Sequence, residues 1–323
     1  MADALLQVDG MRKFFRIKRG FPNPVKMTIR AVDQVSFRLA AGDAFGLVGE
    51  SGCGKTTVGR CILRLVEPDS GRIVLKGEDV IRADRHRLRV LRRKMQIIFQ
   101  DPYSSLNPRR TVGQTLSEPL RVHRIGARAT IKDRVVQLLA EVGLPPESVD
   151  KFPHEFSGGQ RQRIGIARAL VFEPELIIAD EPVSALDVSI QSQILILLCK
   201  LQQLHRLSFL FISHDLAVVR YFCQRVAVMY LGRIVEQGTV QEVFENPQHP
   251  YSRILREASP IPDPSVRKPA MRLEGEIASA AKPPGGCYFH PRCPHKMDIC
   301  ANVYPPWIDL GAGRGAACHL VSG

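Results

Sequence analysis

The densest run of chemistry-capable residues is Gly49-Glu50-Ser51-Gly52-Cys53-Gly54-Lys55-Thr56, which spells Gly-x4-Gly-Lys-Thr, a P-loop. The glycines let backbone N–H groups crowd around phosphate oxygens. Lys55 offers a compact positive charge to the β- and γ-phosphates, and the Thr56 hydroxyl suits Mg2+. The context agrees with the motif. The apolar Ala44–Val48 reads as a buried strand feeding the loop, and helical spacing over 57–65, opening with Thr57, leaves it. The loop then caps a helix N-terminus, whose dipole favours anions. A Mg2+-bound nucleoside triphosphate is the expected ligand of Gly49, Ser51, Gly52, Cys53, Gly54, Lys55, Thr56 and Thr57.

A second set lies downstream. Leu176-Ile177-Ile178-Ala179-Asp180 reads as a short buried strand ending in a carboxylate, with Glu181 directly after it. An acid at a strand tip near a P-loop is placed to hold Mg2+, and its neighbour to polarise a water in line with the γ-phosphate. Phe156-Ser157-Gly158-Gly159-Gln160 puts two glycines at a helix start; alone it is a flexible turn, and its distance from the acids gives it meaning. Ser184-Ala185-Leu186-Asp187 follows as a turn. His214 ends the apolar run Ser208–Ser213, on the edge of a presumed parallel sheet where open α/β sheets bind ligands.

The elements that must position these residues are an antiparallel sheet over 5–48, carrying Phe14 and Phe15, and a strand over 95–99 that ends at Gln100. Next come a turn-rich loop over 101–108 and helical spacing from 112 to 142 with Gly143 as its stop. A helix over 161–171 and an amphipathic helix over 189–201 follow, and residues 226–235 read as a hairpin.

At 323 residues the chain holds one large domain with a smaller attachment. Hydrophobic content of 45% and charged content of 24% describe an ordinary globular protein. No apolar run reaches the roughly 18 residues of a membrane span, and the first ten residues lack a signal-peptide layout, so a cytoplasmic place is expected. Net charge of +13 raises a nucleic-acid reading, with the basic run 82–94 as its surface. No aromatics interleave that run, and it reads as a solvated helix face.

Taken together these residues resemble the nucleotide-binding subunits of ATP-binding cassette (ABC) transporters. The likeness covers nearly the whole chain. Residues 156–160 match the signature motif with Phe156 where Leu is usual, Gln100 matches the Q-loop, Ser184 to Asp187 the D-loop, and His214 the switch histidine. Phe15 stands at the adenine-stacking position. The run 100–109, His249-Pro250-Tyr251 and the Gly286 to Pro294 segment are similar to the peptide and nickel importer branch. The resemblance implies an α/β P-loop ATPase core of the ABC type over 1–258, with an N-terminal antiparallel β subdomain, a helical subdomain near 101–165 and a small Cys-rich extension over 259–323. It implies ATP as ligand, Thr56, Gln100 and Asp180 on Mg2+, and Glu181, Gln100 and His214 in hydrolysis. Ser157, Gly158, Gly159, Gln160 and Asp187 would meet a partner's nucleotide. The implied partners are a second related ABC ATPase, two membrane permease subunits and an extracytoplasmic substrate-binding protein, with no nucleic acid, at the cytoplasmic face of the inner membrane. The alternative is a soluble ABC ATPase acting on nucleic acid or the ribosome. Such proteins tend to carry paired cassettes, a long coiled coil or a zinc insert, none of which is visible.

Four of eight cysteines, Cys287, Cys293, Cys300 and Cys318, crowd the end of the chain, spaced x5, x6 and x17. In a cytosolic protein such clustering favours metal over disulfide. Four thiolates suit Zn2+ or an iron-sulfur cluster, and the spacing does not choose between them. The importer branch implies a [4Fe-4S] centre. His290, His295 and His319 are nearby substitutes, and Pro260, Pro262, Pro264 and Pro269 mark a linker.

Overall fold

The computed structural model describes residues 4–19, 25–258 and 279–321. They form two compact units: one takes the described parts of 1–40, 44–83 and 211–323, the other 41–43 and 84–210.

The first unit opens with two long antiparallel strands, β1 (Ala4–Arg19) and β2 (Val25–Ala40). Leu6 and Val8 on β1, and Val35, Phe37 and Leu39 on β2, are buried at every second position, the period of a strand with one face on a core. Then come β3 (Ala44–Val48), buried at all five residues, helix α1 (Lys55–Ile62), β4 (Ser70–Leu75) and β5 (Glu78–Asp79). The order β2-β1-β4-β5 makes the antiparallel sheet that the alternating runs predict.

The second unit contains α2 (Arg85–Lys94), β6 (Met95–Ile98), α3 (Val112–Val122), α4 (Arg128–Glu141), α5 (Gly158–Leu170), β7 (Leu176–Asp180) and α6 (Val188–His205). Strands β6 and β7 run parallel, with Ile97 opposite Ile178. Only Leu91 of α2 is buried, so the basic run is a solvated face. The helical spacing expected through 112–142 is broken in two. His123 closes α3, Gly126 takes φ +78° to turn the chain, and α4 starts at Arg128. Gly143, at φ +71°, follows the end of α4 as the expected stop.

Strand β8 (Ser208–Ser213) is divided between the units after Leu210. The first unit resumes with α7 (Leu216–Phe222), β9 (Arg225–Tyr230), β10 (Arg233–Thr239), α8 (Val240–Glu245) and α9 (Pro250–Ala258). Past residue 279 come α10 (Asp298–Asn302), β11 (Ile308–Gly311) and β12 (Arg314–Ala316). Strand β3 pairs parallel with β9, and β9 antiparallel with β10 in the expected hairpin. Strand β12 adds to β10 and β11 to β12, so the C-terminal segment extends this sheet. The proline-marked linker, 259–278, lies outside the described residues. No helix among the described residues is long and apolar enough to cross a membrane.

Candidate nucleotide site

Strand β3 delivers the P-loop and α1 receives it. Gly54 sits at φ +108°, where a Cβ would lie 1.9 Å from the Ala31 carbonyl oxygen, so only glycine fits. Lys55 is 4% exposed. Its Nζ donates to the carbonyl oxygens of Gly49 (2.7 Å) and Glu50 (3.0 Å), so the ammonium rests on the loop that it would serve. Cys53 is also buried, its Sγ 3.8 Å from Lys55 Nζ, and burial pushes its thiol pKa up. The Cys53 side chain fills the inside of the loop, and its N–H donates to Glu50 O at 3.2 Å. Ser51 and Gly52 are exposed, and Thr56 and Thr57 half-buried at the start of α1. In the same unit Phe15 is 37% exposed on β1, with Lys13 Nζ 5.4 Å from its ring centroid, and His214 is exposed just past β8.

The second unit gathers another group. Asp180, 3% exposed, ends β7, while Gln100 lies two residues past β6, the strand beside it. Gln100 Nε2 donates to Glu181 Oε2 at 3.0 Å, so these two side chains meet directly. Glu181 adopts φ +47°, a left-handed conformation that costs a non-glycine residue energy. Its carbonyl oxygen accepts from the N–H (3.3 Å) and hydroxyl (3.1 Å) of Ser184, which ties the 184–187 turn to it. Asp187 stands exposed at the N-terminus of α6. Ser157 caps α5: its Oγ accepts the Gln160 N–H (3.4 Å), and its own N–H donates to Gln160 Oε1 (3.0 Å). The two glycines are the first helical residues of α5, as expected of a helix start, with Ser157 and Gln160 exposed and Gly158 and Gly159 half-buried.

Residues 32–184 match the ABC transporter family model, and 235–300 match that of the oligopeptide/dipeptide transporter C-terminal region. A protein of Sinorhizobium fredii, named a probable peptide ABC transporter ATP-binding protein, is 49% identical over 99% of this chain and 91% of its own length. The chain belongs to the ABC transporter ATP-binding proteins. It is also 44% identical to the dipeptide transport ATP-binding protein DppF of Escherichia coli, over 98% of this chain and 94% of DppF. Among solved structures it is similar to the ATP-binding cassette MJ0796, in a dimeric post-hydrolysis state bound to ADP and Pi. That match has TM-score 0.63 and 27% identity, over 73% of this chain and 98% of the other. Like its family, it is an ATPase of α/β fold with an antiparallel β portion.

In this ABC subunit a polar chain beneath the P-loop escaped sequence reasoning. Glu236, fully buried, accepts the N–H groups of Gln248 (2.7 Å) and His249 (2.9 Å). His249 Nδ1 accepts the Tyr251 N–H (3.0 Å), and burial pushes its imidazole pKa down to about 3. The Tyr251 hydroxyl then accepts the N–H of Glu50 (2.9 Å). The His-Pro-Tyr motif, read as a family mark, is a physical brace for the loop. Arg233 joins β10 to β2 and to the C-terminal segment: it pairs with Asp33 (2.7 Å) and lies 4.0 Å from the Tyr304 ring centroid and 5.2 Å from that of Tyr288.

The C-terminal cysteines share a neighbourhood. Burial pushes the Cys287 thiol up to about 11, with Cys300, Cys318 and Cys293 adding to the rise. Cys293 and Cys318 are raised for the same leading reason. Among the described residues, however, no three His, Cys, Asp or Glu side chains are grouped to hold a metal ion, so the expected [4Fe-4S] or Zn2+ ligand set is not assembled as one.

Proposed function

We propose that this chain powers import of peptides or a related small solute through an ABC transporter, by ATP-driven closure of a nucleotide-sandwich dimer. One observation carries the reading: a P-loop cassette and an oligopeptide/dipeptide transporter C-terminal region occur in one chain that aligns with peptide-transport relatives almost end to end.

In this reading Phe15 stacks on the adenine, the loop from Gly49 to Thr57 wraps the phosphates, and Lys55 turns from the Gly49 and Glu50 carbonyls to the β- and γ-phosphates. Thr56, Gln100 and Asp180 hold Mg2+, which supplies charge neutralisation when bound. Glu181, oriented by Gln100, accepts a proton from the attacking water, and His214 hydrogen-bonds at the γ-phosphate. Ser157, Gly158, Gly159, Gln160 and Asp187 face the nucleotide of a second, related ATPase. Two membrane permease subunits and an extracytoplasmic binding protein complete the assembly, with this subunit peripheral on the cytoplasmic face of the inner membrane. A [4Fe-4S] centre on Cys287, Cys293, Cys300 and Cys318, or Zn2+ in its place, is proposed on family grounds. Their proximity supports it and the ligand geometry does not; iron, sulfide and zinc assays after anaerobic purification test it.

The assembly reconstituted in vesicles should accumulate labelled peptide when ATP is supplied from the cytoplasmic side. Glu181→Gln should still bind ATP but release no phosphate. Vesicles that hydrolyse ATP without moving peptide or any related small solute would overturn the transport reading, and normal turnover by the variant would remove Glu181 from the mechanism.

A further inference from the structure

Glu50 is the one carboxylate within the P-loop, 49–56, a segment that must receive a polyanion. An acid there needs an explanation, because its charge opposes the phosphates. The explanation lies in the C-terminal segment. Arg292 Nη1 donates to Glu50 Oε2 and Nη2 to Oε1, both at 3.0 Å, in the two-pronged geometry that makes Arg–carboxylate pairs strong and directional. The arginine side chain is 5% exposed and the glutamate side chain 21%. Arg292 Nε is buried without a partner among the described residues, so the guanidinium commits its outer nitrogens to Glu50, with Nη1 also 3.4 Å from the Tyr230 hydroxyl.

The mounting of this pair is stiff. Arg292 ends a short turn, His290–Arg292, and its N–H donates to the carbonyl of Phe289 (3.0 Å). Phe289 is 1% exposed and packs its ring 5.3 Å from those of Tyr230 and Tyr251. Tyr251 holds the N–H of Glu50, while the carbonyl of Glu50 holds Lys55 Nζ. Side chain, N–H and carbonyl of one P-loop residue are thus each tied, two of them by groups more than two hundred residues away in sequence.

We propose that Arg292 is a positioning residue for ATP: it cancels the P-loop's own negative charge and fixes the loop's first turn, so that the segment past 279 sets the affinity of the site. This rests on the P-loop binding ATP, as proposed above. The alternative is that the pair merely anchors the C-terminal segment. The two differ in what a second substitution does. If charge is the issue, removing Glu50's charge relieves the loss of Arg292; if anchoring is the issue, it does not.

The test is calorimetric titration of the full-length protein with MgATP at low and high salt. Arg292→Gln should weaken binding about tenfold, within the usual range of coupling between sites, and the loss should shrink as salt screens Glu50. The double variant Glu50→Gln/Arg292→Gln should recover most of that loss. Arg292→Lys, which keeps the charge but not the fork, should fall between wild type and Arg292→Gln, and decides the matter if Arg292→Gln does not fold. Wild-type affinity in Arg292→Gln, a double variant no better than the single one, or an Arg292→Lys as weak as Arg292→Gln would each overturn the proposal. Failure of the wild type to bind MgATP would instead sink the P-loop reading itself.

Discussion

His249 offers a direct measurement of how firmly the brace under the P-loop is built. The ring is 1% exposed and its Nδ1 accepts the Tyr251 N–H at 3.0 Å, so the imidazole must be neutral, with its proton on Nε2. Burial pushes its pKa down to about 3, against about 6.5 for an unfolded histidine. The folded value lies below the unfolded one, so protons bind preferentially to the unfolded chain. The stability that His249 permits is complete above about pH 6.5 and is lost as pH falls from there towards 3. Each pH unit in that window removes about 1.4 kcal/mol, so a drop from pH 7.5 to 5 removes about 2 kcal/mol. The assay is urea unfolding across that range for wild type and His249→Asn, whose carboxamide oxygen can take the Tyr251 N–H but binds no proton. The stability advantage of wild type over the variant should shrink by about 2 kcal/mol between the two pH values. Parallel curves would refute the claim that this imidazole is held neutral.

Two further substitutions follow from the geometry of the site. Gly54→Ala places a methyl 1.9 Å from the Ala31 carbonyl oxygen at φ +108°, so at least about 1–3 kcal/mol of strain enters the loop; the melting temperature should fall and no longer rise on adding ATP. Gln100→Ala removes the 3.0 Å partner of Glu181 and should lower kcat by roughly 100-fold with KM for ATP little changed; an equal rise in KM would show that Gln100 acts in binding instead.

Legibility in the sequence followed the range of the forces involved. Strands Ala44–Val48, Leu176–Asp180 and Ser208–Ser213 could be read to the residue, because each is a buried apolar run bounded by turn formers. The break between α3 and α4 could not. Apolar spacing continues through Ile125, and the one local signal is Gly126, which a helix tolerates at modest cost. Ser157 and Gln160 were legible as a motif, but their capping bonds add a structural duty that the motif alone does not suggest. The partners of Glu50 were out of reach: Tyr251 and Arg292 stand 201 and 242 positions away, and nothing local marks either as its mate. The strands added past 307 are short and glycine-flanked, and acquire their meaning only from the edge of β10 that they cover.

The contacts of Lys55 link the stability of the loop to its affinity. A buried ammonium must be hydrogen-bonded, and the acceptors of Lys55 are the loop's own carbonyls, at 2.7 and 3.0 Å. Hydrogen bonds to a charged group are worth about 1.5–3 kcal/mol each, so ATP gains only the difference between its phosphate oxygens and the carbonyls they replace. That difference depends on the carbonyls staying where they are. A loop free to follow the lysine would keep its bonds and compete with the ligand, whereas a loop held at Glu50 by Tyr251 must let the lysine go. Rigidity under the P-loop therefore acts on affinity and not only on stability, and a Tyr251→Phe variant, which leaves the Glu50 N–H without its acceptor, should weaken MgATP binding by more than it lowers the melting temperature would suggest. Equal loss of ATP affinity in an unrelated core variant of matched stability would show that the brace has no such role.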